Sequence, residues 1–536
     1  MHRRVNLIWL GAPEGVPSWP LGEARAAELR PDAVAACLNP WVNDADATAW
    51  LFWDARLGAP QAALIERTLE RPGDAWHAGL RLGMTGQPGL LDFVAPTWML
   101  NADPAPDQEA TSWRVSLGAC LVRHEALRRL GGPRGEFRTL AGAALEMGHR
   151  WLRRGALVRH LPCLAAGAPA ENLPAEDEVR FIYYQYGRFW ARWAVARAVA
   201  SGYLAPGEAW RAWWRATAVA RPTEAPSLHA PGGEPAPPAR VTVVIPTLDR
   251  YSHLRAVLAQ LEQQTVRPLE VIVADQTPAA RRETGLEREF ADLPLCVMYL
   301  AAAGQCSSRN AAIEAARGEL VLFLDDDVEA PDDLIEAHLA SLERFGADAS
   351  CGVAVEDGAG PLPEGFREIR ASDVFPTGNS MVRRAALQRS GLFDRAYERG
   401  QRADGDLGMR LYRSGALLVL NPAISVVHHH APRGGLRTHR ARAVTYASSR
   451  RSLAARHLPS ATEIYLARRY FTPRQVREML WLRALGTLSA HGTRGRRALK
   501  ALVGLVCLPL SGVAIARQYR RASEMIERFP QIPELA

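Results

Sequence analysis

Three apolar runs in the second half of the chain each stop at aspartate: VTVVIPTLDR at 241–250, LEVIVADQT at 269–277 and ELVLFLDDDV at 319–328. Between them SHLRAVLAQLEQQ and SSRNAAIEAA carry the spacing of amphipathic helices. Strand, helix and strand in that order predict βαβ units and a parallel sheet. In such sheets ligands sit beyond the carboxyl ends of the strands, where Asp249, Asp275 and the Asp325–Asp327 cluster fall. Adjacent carboxylates repel one another, so three in a row are costly unless something positive lies among them. Acidic groups hold phosphate poorly by themselves. They suit a divalent cation that holds it for them, or the edge of a ribose or base.

The pieces VVIPTLDR, VIVADQT, GQCSSRNAAIEAARGELVLFLDDDV, TGNSMVRRAAL, ADGDLGMRL and a closing HHH follow one another over about 241–430. In this order they resemble glycosyltransferase family 2. The resemblance implies an α/β GT-A nucleotide-sugar-binding fold and single-displacement transfer with inversion. It places Pro246, Thr247, Asp249, Asp275 and Arg309 at the donor nucleotide, with Asp325 and Asp326 beside them. It makes Asp325 and Asp327 the two ends of a DxD motif that binds Mn²⁺ or Mg²⁺ through the donor diphosphate. It also supplies His428 as a further metal ligand, with His430, on the same face of an extended chain, as the alternative. The catalytic base position falls on Asp404. The glutamate that precedes it in the family is replaced here by Ala403, so Asp406 stands as the alternative base. Asp404 as a plain helix cap is the competing structural reading.

At 536 residues the chain is too long for one ordinary core. The Pro- and Gly-rich stretch 223–240 is expected to be an extended linker with nothing to pack against. It divides a unit at 1–170 and a helical segment at 171–222 from a catalytic unit at 241–435, which a basic helical region at 436–536 follows. The helical segment holds Trp190, Trp193, Trp210, Trp213 and Trp214, which are expected to pack its helices together.

The first unit looks like a degenerate second copy of the catalytic one. GACLVRHEALRRLGG at 118–132 resembles GNSMVRRAALQRSGL at 378–392, and at the same offset of 260 MGHRWLRRGAL falls on LGMRLYRSGAL. LFWDARLGAP at 51–60 resembles LFLDDDVEAP at 322–331, which sets Arg56 opposite Asp327; Ala144 stands opposite Asp404. The short lead-in shows no recognisable counterpart of the IPTLDR and ADQT pieces. A copy with arginine at a metal position and no base is expected to be structural or to bind an acceptor or partner.

The net charge of +8 is uneven. From 431 to the end there are twenty basic and five acidic residues, so the rest of the chain is acidic. A basic tail on an acidic body suits an anionic partner such as a membrane surface, and not nucleic acid; a solvated helical face is the bland alternative. Within it, residues 501–516 carry no charge, yet the run is shorter than the roughly 20 residues of a span and contains Pro509 and Gly512. It is expected to be a buried or interface-lying helix pair. The seven scattered cysteines suit a reducing cytoplasm.

The expected activity is metal-dependent inverting transfer from a nucleotide-diphosphate sugar to a glycan or lipid-linked acceptor. It would take place in the cytoplasm, with peripheral contact at the inner face of the membrane. A nucleotidyltransferase and a non-catalytic sugar-binding scaffold are the alternatives.

Overall fold

In a computed structural model the chain forms two mixed α/β sheets and a cluster of C-terminal helices. The structure describes residues 4–11, 15–167, 172–232, 239–356, 362–429, 450–453 and 455–535.

The first sheet contains β1 (Val5–Leu10), β2 (Ala24–Ala27), β3 (Ala49–Asp54), β4 (Ala75–His77), β5 (Ala110–Thr111), β6 (Ala119–Arg123) and β7 (Val158–His160). Their order in the sheet is β2-β1-β3-β6-β4-β7-β5. The second contains β8 (Val241–Thr247), β9 (Glu270–Asp275), β10 (Leu295–Tyr299), β11 (Leu320–Leu324), β12 (Val328–Glu329), β13 (Ala349–Glu356), β14 (Arg370–Ala371), β15 (Asn379–Arg383) and β16 (Leu418–His428). Its order is β10-β9-β8-β11-β15-β13-β16-β12, with β14 also paired to β16.

The second order repeats the first. β9, β8, β11, β15, β13, β16 and β14 occupy the places of β2, β1, β3, β6, β4, β7 and β5, and each pair runs in the same sense. The registers agree too. Ala110 faces His160 as Arg370 faces Leu420, both shifted by the offset read from the sequence. The lead-in strands that sequence comparison missed are therefore present as β1 and β2. They were illegible because β1 runs into Gly11, with no acidic turn like Thr247-Leu248-Asp249 to mark its end.

A continuous apolar core links both sheets through Trp113, Trp151, Phe323 and Leu420. Contacts between the two halves are specific. The Tyr412 hydroxyl donates to the Ala102 carbonyl at 2.8 Å, and Trp98 Nε1 donates to Asp373 at 2.6 Å. Helix Pro473–Gly486 joins the first half through Glu478, a buried carboxylate 2.9 Å from Arg197.

Two expectations need correction. The described part of the linker is packed: the Leu228 N–H donates to Arg154, Leu228 itself is buried, and His229 lies 3.0 Å from Asp74. One apolar residue and one imidazole suffice to anchor an otherwise Pro- and Gly-rich segment. Of the expected packing tryptophans, Trp210 and Trp214 are more than half exposed, because helix Pro206–Thr217 buries its alanine face instead.

Candidate active site

β8, β9 and β11 are parallel and end together, with Thr247 opposite Asp275. Parallel neighbours buried on both faces need continuous apolar runs, and VTVVI, EVIVA and LVLFL supply them. Their polar termini are therefore displayed at one edge.

After β11 the chain passes through Asp325, Asp326 and Asp327 and turns into β12, whose Val328 pairs antiparallel with His428 at the end of β16. This pairing brings the imidazole to the aspartates. His428 Nε2 lies 3.0 Å from Asp327 Oδ1 and 3.9 Å from Asp325 Oδ2. One ligand atom from each of these three residues falls within 4.8 Å of the others. Period-two alternation turns the next residue, His429, away to Glu329 at 3.0 Å. His430 lies outside the described residues.

Asp326 faces the other way. Its carboxylate accepts from Thr247 Oγ1 at 2.7 Å and from Arg250 at 2.8 Å. Burial raises its pKa to about 6 against the pull of Arg250. The same guanidinium is 3.2 Å from Asp327. Arg250 is thus the positive group that three adjacent carboxylates require, and it was missed because an isolated arginine carries little information in a chain with one lysine, Lys500. Arg309, on helix Gln305–Ala315, reaches Asp325 at 3.3 Å. Gly378 packs against the same carboxylate: a Cβ there would lie 2.7 Å from Asp325 Oδ2.

The other nucleotide-side candidates form a second group at the ends of β8 and β9. Asp275 is buried and accepts from Tyr251 Oη at 2.7 Å and from the Thr277 N–H at 2.8 Å. Asp249 has a left-handed backbone (φ 55°), its N–H donates to Thr277, and its carboxylate meets Arg281 at 2.9 Å. Pro246 lies opposite Ala274, beyond the last residue of β8 that pairs with β11, where a missing N–H costs nothing.

The two candidate bases differ sharply. Asp404 is exposed in the first turn of helix Ala403–Arg413, accepts from the adjacent Gly405 N–H at 2.8 Å, and lines a cavity of about 310 Å³. Asp406 is fully buried. It accepts from Arg410 Nε at 2.9 Å and from Tyr470 Oη at 2.7 Å, which makes it a core anchor and removes the case for it as a base. The segment 373–378 connects the regions: Val374 and Phe375 line the Asp404 cavity and Gly378 abuts Asp325.

In the first sheet the corresponding edge is closed. The offset that carries β3 onto β11 sets Asp54 on Asp325 and Arg56 on Asp327. Arg56 donates to both Asp54 oxygens, at 3.0 and 2.7 Å, so a fixed guanidinium stands beside the one carboxylate that remains.

Residues 242–402 match the family model described as Glycosyl transferase family 2. That segment is a family 2 glycosyltransferase domain. The nine-stranded sheet that carries it is accordingly a GT-A fold. A pre-mycofactocin glycosyltransferase of Mycobacterium tuberculosis is 28% identical over 320 residues, covering 55% of this chain and 62% of that protein. The uncharacterized glycosyltransferase YfnE of Bacillus subtilis is 25% identical over 256 residues, covering 36% of this chain and 65% of that one. The chain thus spans a little under two thirds of the length of these relatives. Among solved structures, the mannosyltransferase PcManGT of Pyrobaculum calidifontis, in complex with GDP-Man and Mn2+, aligns at 19% identity with a TM-score of 0.37, covering 63% of this chain and 99% of that one.

Proposed function

We propose that the protein is a metal-dependent inverting glycosyltransferase, moving a sugar from a nucleotide-diphosphate donor to an acceptor hydroxyl. The observation that carries this is the meeting of Asp325, Asp327 and His428 at the carboxyl edge of the family 2 domain. Two carboxylates and one imidazole form a hard, oxygen-rich donor set suited to Mn²⁺ or Mg²⁺. A cation held there would neutralise the charge that develops on the departing diphosphate.

The chain's own groups do the rest. Arg250 and Arg309 orient the acidic cluster before the donor arrives. Asp249 and Asp275, fixed by Thr277 and Tyr251, stand where the nucleoside would lie. Asp404, facing a cavity instead of the core, takes the proton from the acceptor hydroxyl as it attacks the anomeric carbon. Asp406 holds the helix that presents it.

Peripheral membrane contact, from the cytoplasmic side, belongs to the same proposal. Among the described residues no single helix is long and apolar enough to cross a bilayer. Helices Arg494–Val506 and Leu508–Arg528 are bent by 59° at Cys507 and expose Leu502, Leu505, Val506 and Leu510. Arginines flank this face on both sides.

The test is nucleotide diphosphate release with Mn²⁺ and Mg²⁺ across a panel of sugar nucleotides, paired with calorimetric Mn²⁺ binding without donor. Asp327→Asn and His428→Ala should weaken Mn²⁺ binding, while Asp404→Asn should spare it and slow transfer by roughly 10²–10⁴-fold. Full turnover in both Asp327→Asn and Asp404→Asn would sink the assignment, and pyrophosphate as product would favour a nucleotidyltransferase.

A further inference from the structure

A second, larger cavity adjoins the one at Asp404. It has a volume of about 810 Å³, and the two share Thr97, Trp98, Met479 and Arg483 in their walls. Its walls are mainly aromatic and aliphatic, with Phe189, Trp190 and Trp193 from one segment and Met479, Leu482 and Leu485 from another, and Arg450, His457 and Arg483 also line it. None of these residues belongs to the family 2 domain.

Each wall has a local cause. Helix Ala175–Ala200 is broken at Gly187, where φ is 83° and a Cβ would meet nothing within 4 Å. That left-handed residue turns the following aromatic stretch toward the groove. Trp193 is fixed by its Nε1 donating to the Phe93 carbonyl at 2.8 Å, and Trp98 by its bond to Asp373. Helix Pro473–Gly486 is held opposite by the Arg197–Glu478 pair. Phe189 is nevertheless 72% exposed, a large ring left uncovered in a built cleft.

The groove also adjoins the start of the tail in sequence. Its last lining residue is Ser489, helix Arg494–Val506 begins shortly after, and Gly504 of that helix packs on Leu488. The groove thus shares a wall with the Asp404 cavity, and the helix that follows it in the chain carries the exposed Leu502 and Leu505.

We propose that this groove holds the hydrocarbon portion of an amphiphilic, lipid-type acceptor whose hydroxyl lies at Asp404. The inference rests on the reading of Asp404 as the base and deepens it by assigning the acceptor's class. A sugar alone would leave the larger cavity unfilled, whereas an alkyl or isoprenoid-like chain buries its surface against the aromatic wall at about 25 cal/mol per Å². The degenerate first copy then has a use: its 94–98 segment and following helix form half of the acceptor site, while its own cation edge stays closed by Arg56.

The experiment titrates the full chain with n-dodecyl β-maltoside below its micelle concentration, followed by tryptophan fluorescence, with maltose as the control. Saturable binding of the detergent and none of maltose is expected. Phe189→Glu and Leu482→Glu should each weaken it roughly tenfold or more, since about 1.4 kcal/mol of lost apolar contact is tenfold in affinity. Leu502→Glu, on the tail, should leave this titration unchanged, and Phe189→Glu cannot unseat the core because its ring is already exposed. Equal binding of maltose, or unchanged binding in both groove variants, overturns the proposal. Mn²⁺-dependent nucleotide binding, measured in parallel, reports on the donor reading separately: its absence in the unmutated protein would reject that reading whatever the groove does.

Discussion

Arg410 Nε donates to the buried Asp406 carboxylate at 2.9 Å, and 260 residues earlier Arg150 Nε donates to the buried Glu146 carboxylate at 3.0 Å. Each guanidinium also reaches back to a glycine carbonyl at the end of the preceding helix, Gly391 at 3.1 Å and Gly131 at 3.2 Å. Both copies keep this clamp, although only one keeps the cluster of Asp325, Asp327 and His428. It is therefore a device of the fold.

Asp406→Asn should accordingly behave as a stability mutation. Breaking one side of a buried ion pair costs about 3–5 kcal/mol, and Glu146→Gln should cost a similar amount in urea unfolding. Asp404→Asn should leave unfolding within about 0.5 kcal/mol, as exposed substitutions do. It should reduce kcat by roughly 10²–10⁴-fold, the usual worth of a positioned base. Equal stability losses at 404 and 406 would contradict the division of roles.

Gly378 makes a second prediction. A methyl group there meets Asp325 Oδ2 at 2.7 Å, closer than real contacts allow, and Asp325, about a third exposed, swings aside at the expense of its 3.3 Å pair with Arg309. Gly378→Ala should therefore displace a ligand without unfolding the sheet. The expected result is roughly tenfold weaker Mn²⁺ binding by calorimetry, with a stability change under about 1 kcal/mol.

The acidic edge was legible in the sequence because its residues are contiguous or mark strand ends: Thr247, Asp249, Asp275 and Asp325–Asp327 all fall where strand, turn and charge coincide. His428 was legible for the same reason, at the end of a strand. Arg250 and Gly378 were not, since their roles depend on which carboxylate the fold brings against them. Asp404 and Asp406 were indistinguishable from spacing alone; two residues apart on a helix, they face opposite environments, which only packing reveals. The duplication was visible where helices follow strands at fixed offset. It faded at β1 and β2, because VNLIWL and ARAA share little with VTVVIPT and EVIVAD beyond forming strands. The groove was not legible as a site: Trp190 and Trp193 stood out as packing residues, and the walls come from segments nearly 400 residues apart.

The tail should bind bilayers in a charge-dependent way. Leu502, Leu505, Val506 and Leu510 are each more than half exposed, and Arg494, Arg496, Arg497, Arg517, Arg520 and Arg521 flank them. In vesicle flotation the protein should follow anionic vesicles and release as salt rises, each basic residue near the surface contributing about 1 kcal/mol at most. Leu502→Glu with Leu505→Glu should abolish flotation and leave nucleotide binding intact. Equal flotation with neutral vesicles would argue against a role for the arginines.

His338 gives the protein a defined sensitivity to acid. It is wholly buried, with Nδ1 2.9 Å from Ser350 Oγ and Nε2 2.8 Å from Asn379 Oδ1, and burial pushes its pKa down to about 4, with the Asn379 bond opposing. Asn379 in turn donates to the Val353 and Ile424 carbonyls, so the imidazole helps tie together β13, β15 and β16 behind the cation cluster. A folded pKa below the unfolded value of about 6.5 means that the unfolded chain binds the extra proton. This contribution is present above pH 6.5 and is lost as pH falls from 6.5 toward 4, to a total of about 3 kcal/mol at 1.36 kcal/mol per unit. Glu178, raised to about 7 by burial, contributes in the opposite sense, its share falling as pH rises through 4.5–7. The two are separable by comparison. Against the unmutated protein, His338→Gln should flatten the acid limb between pH 6.5 and 4, and Glu178→Gln should steepen the rise of stability with pH between 4.5 and 7. Urea unfolding at half-unit pH steps measures both, and a His338→Gln profile parallel to that of the unmutated protein would show that His338 does not carry the acid limb.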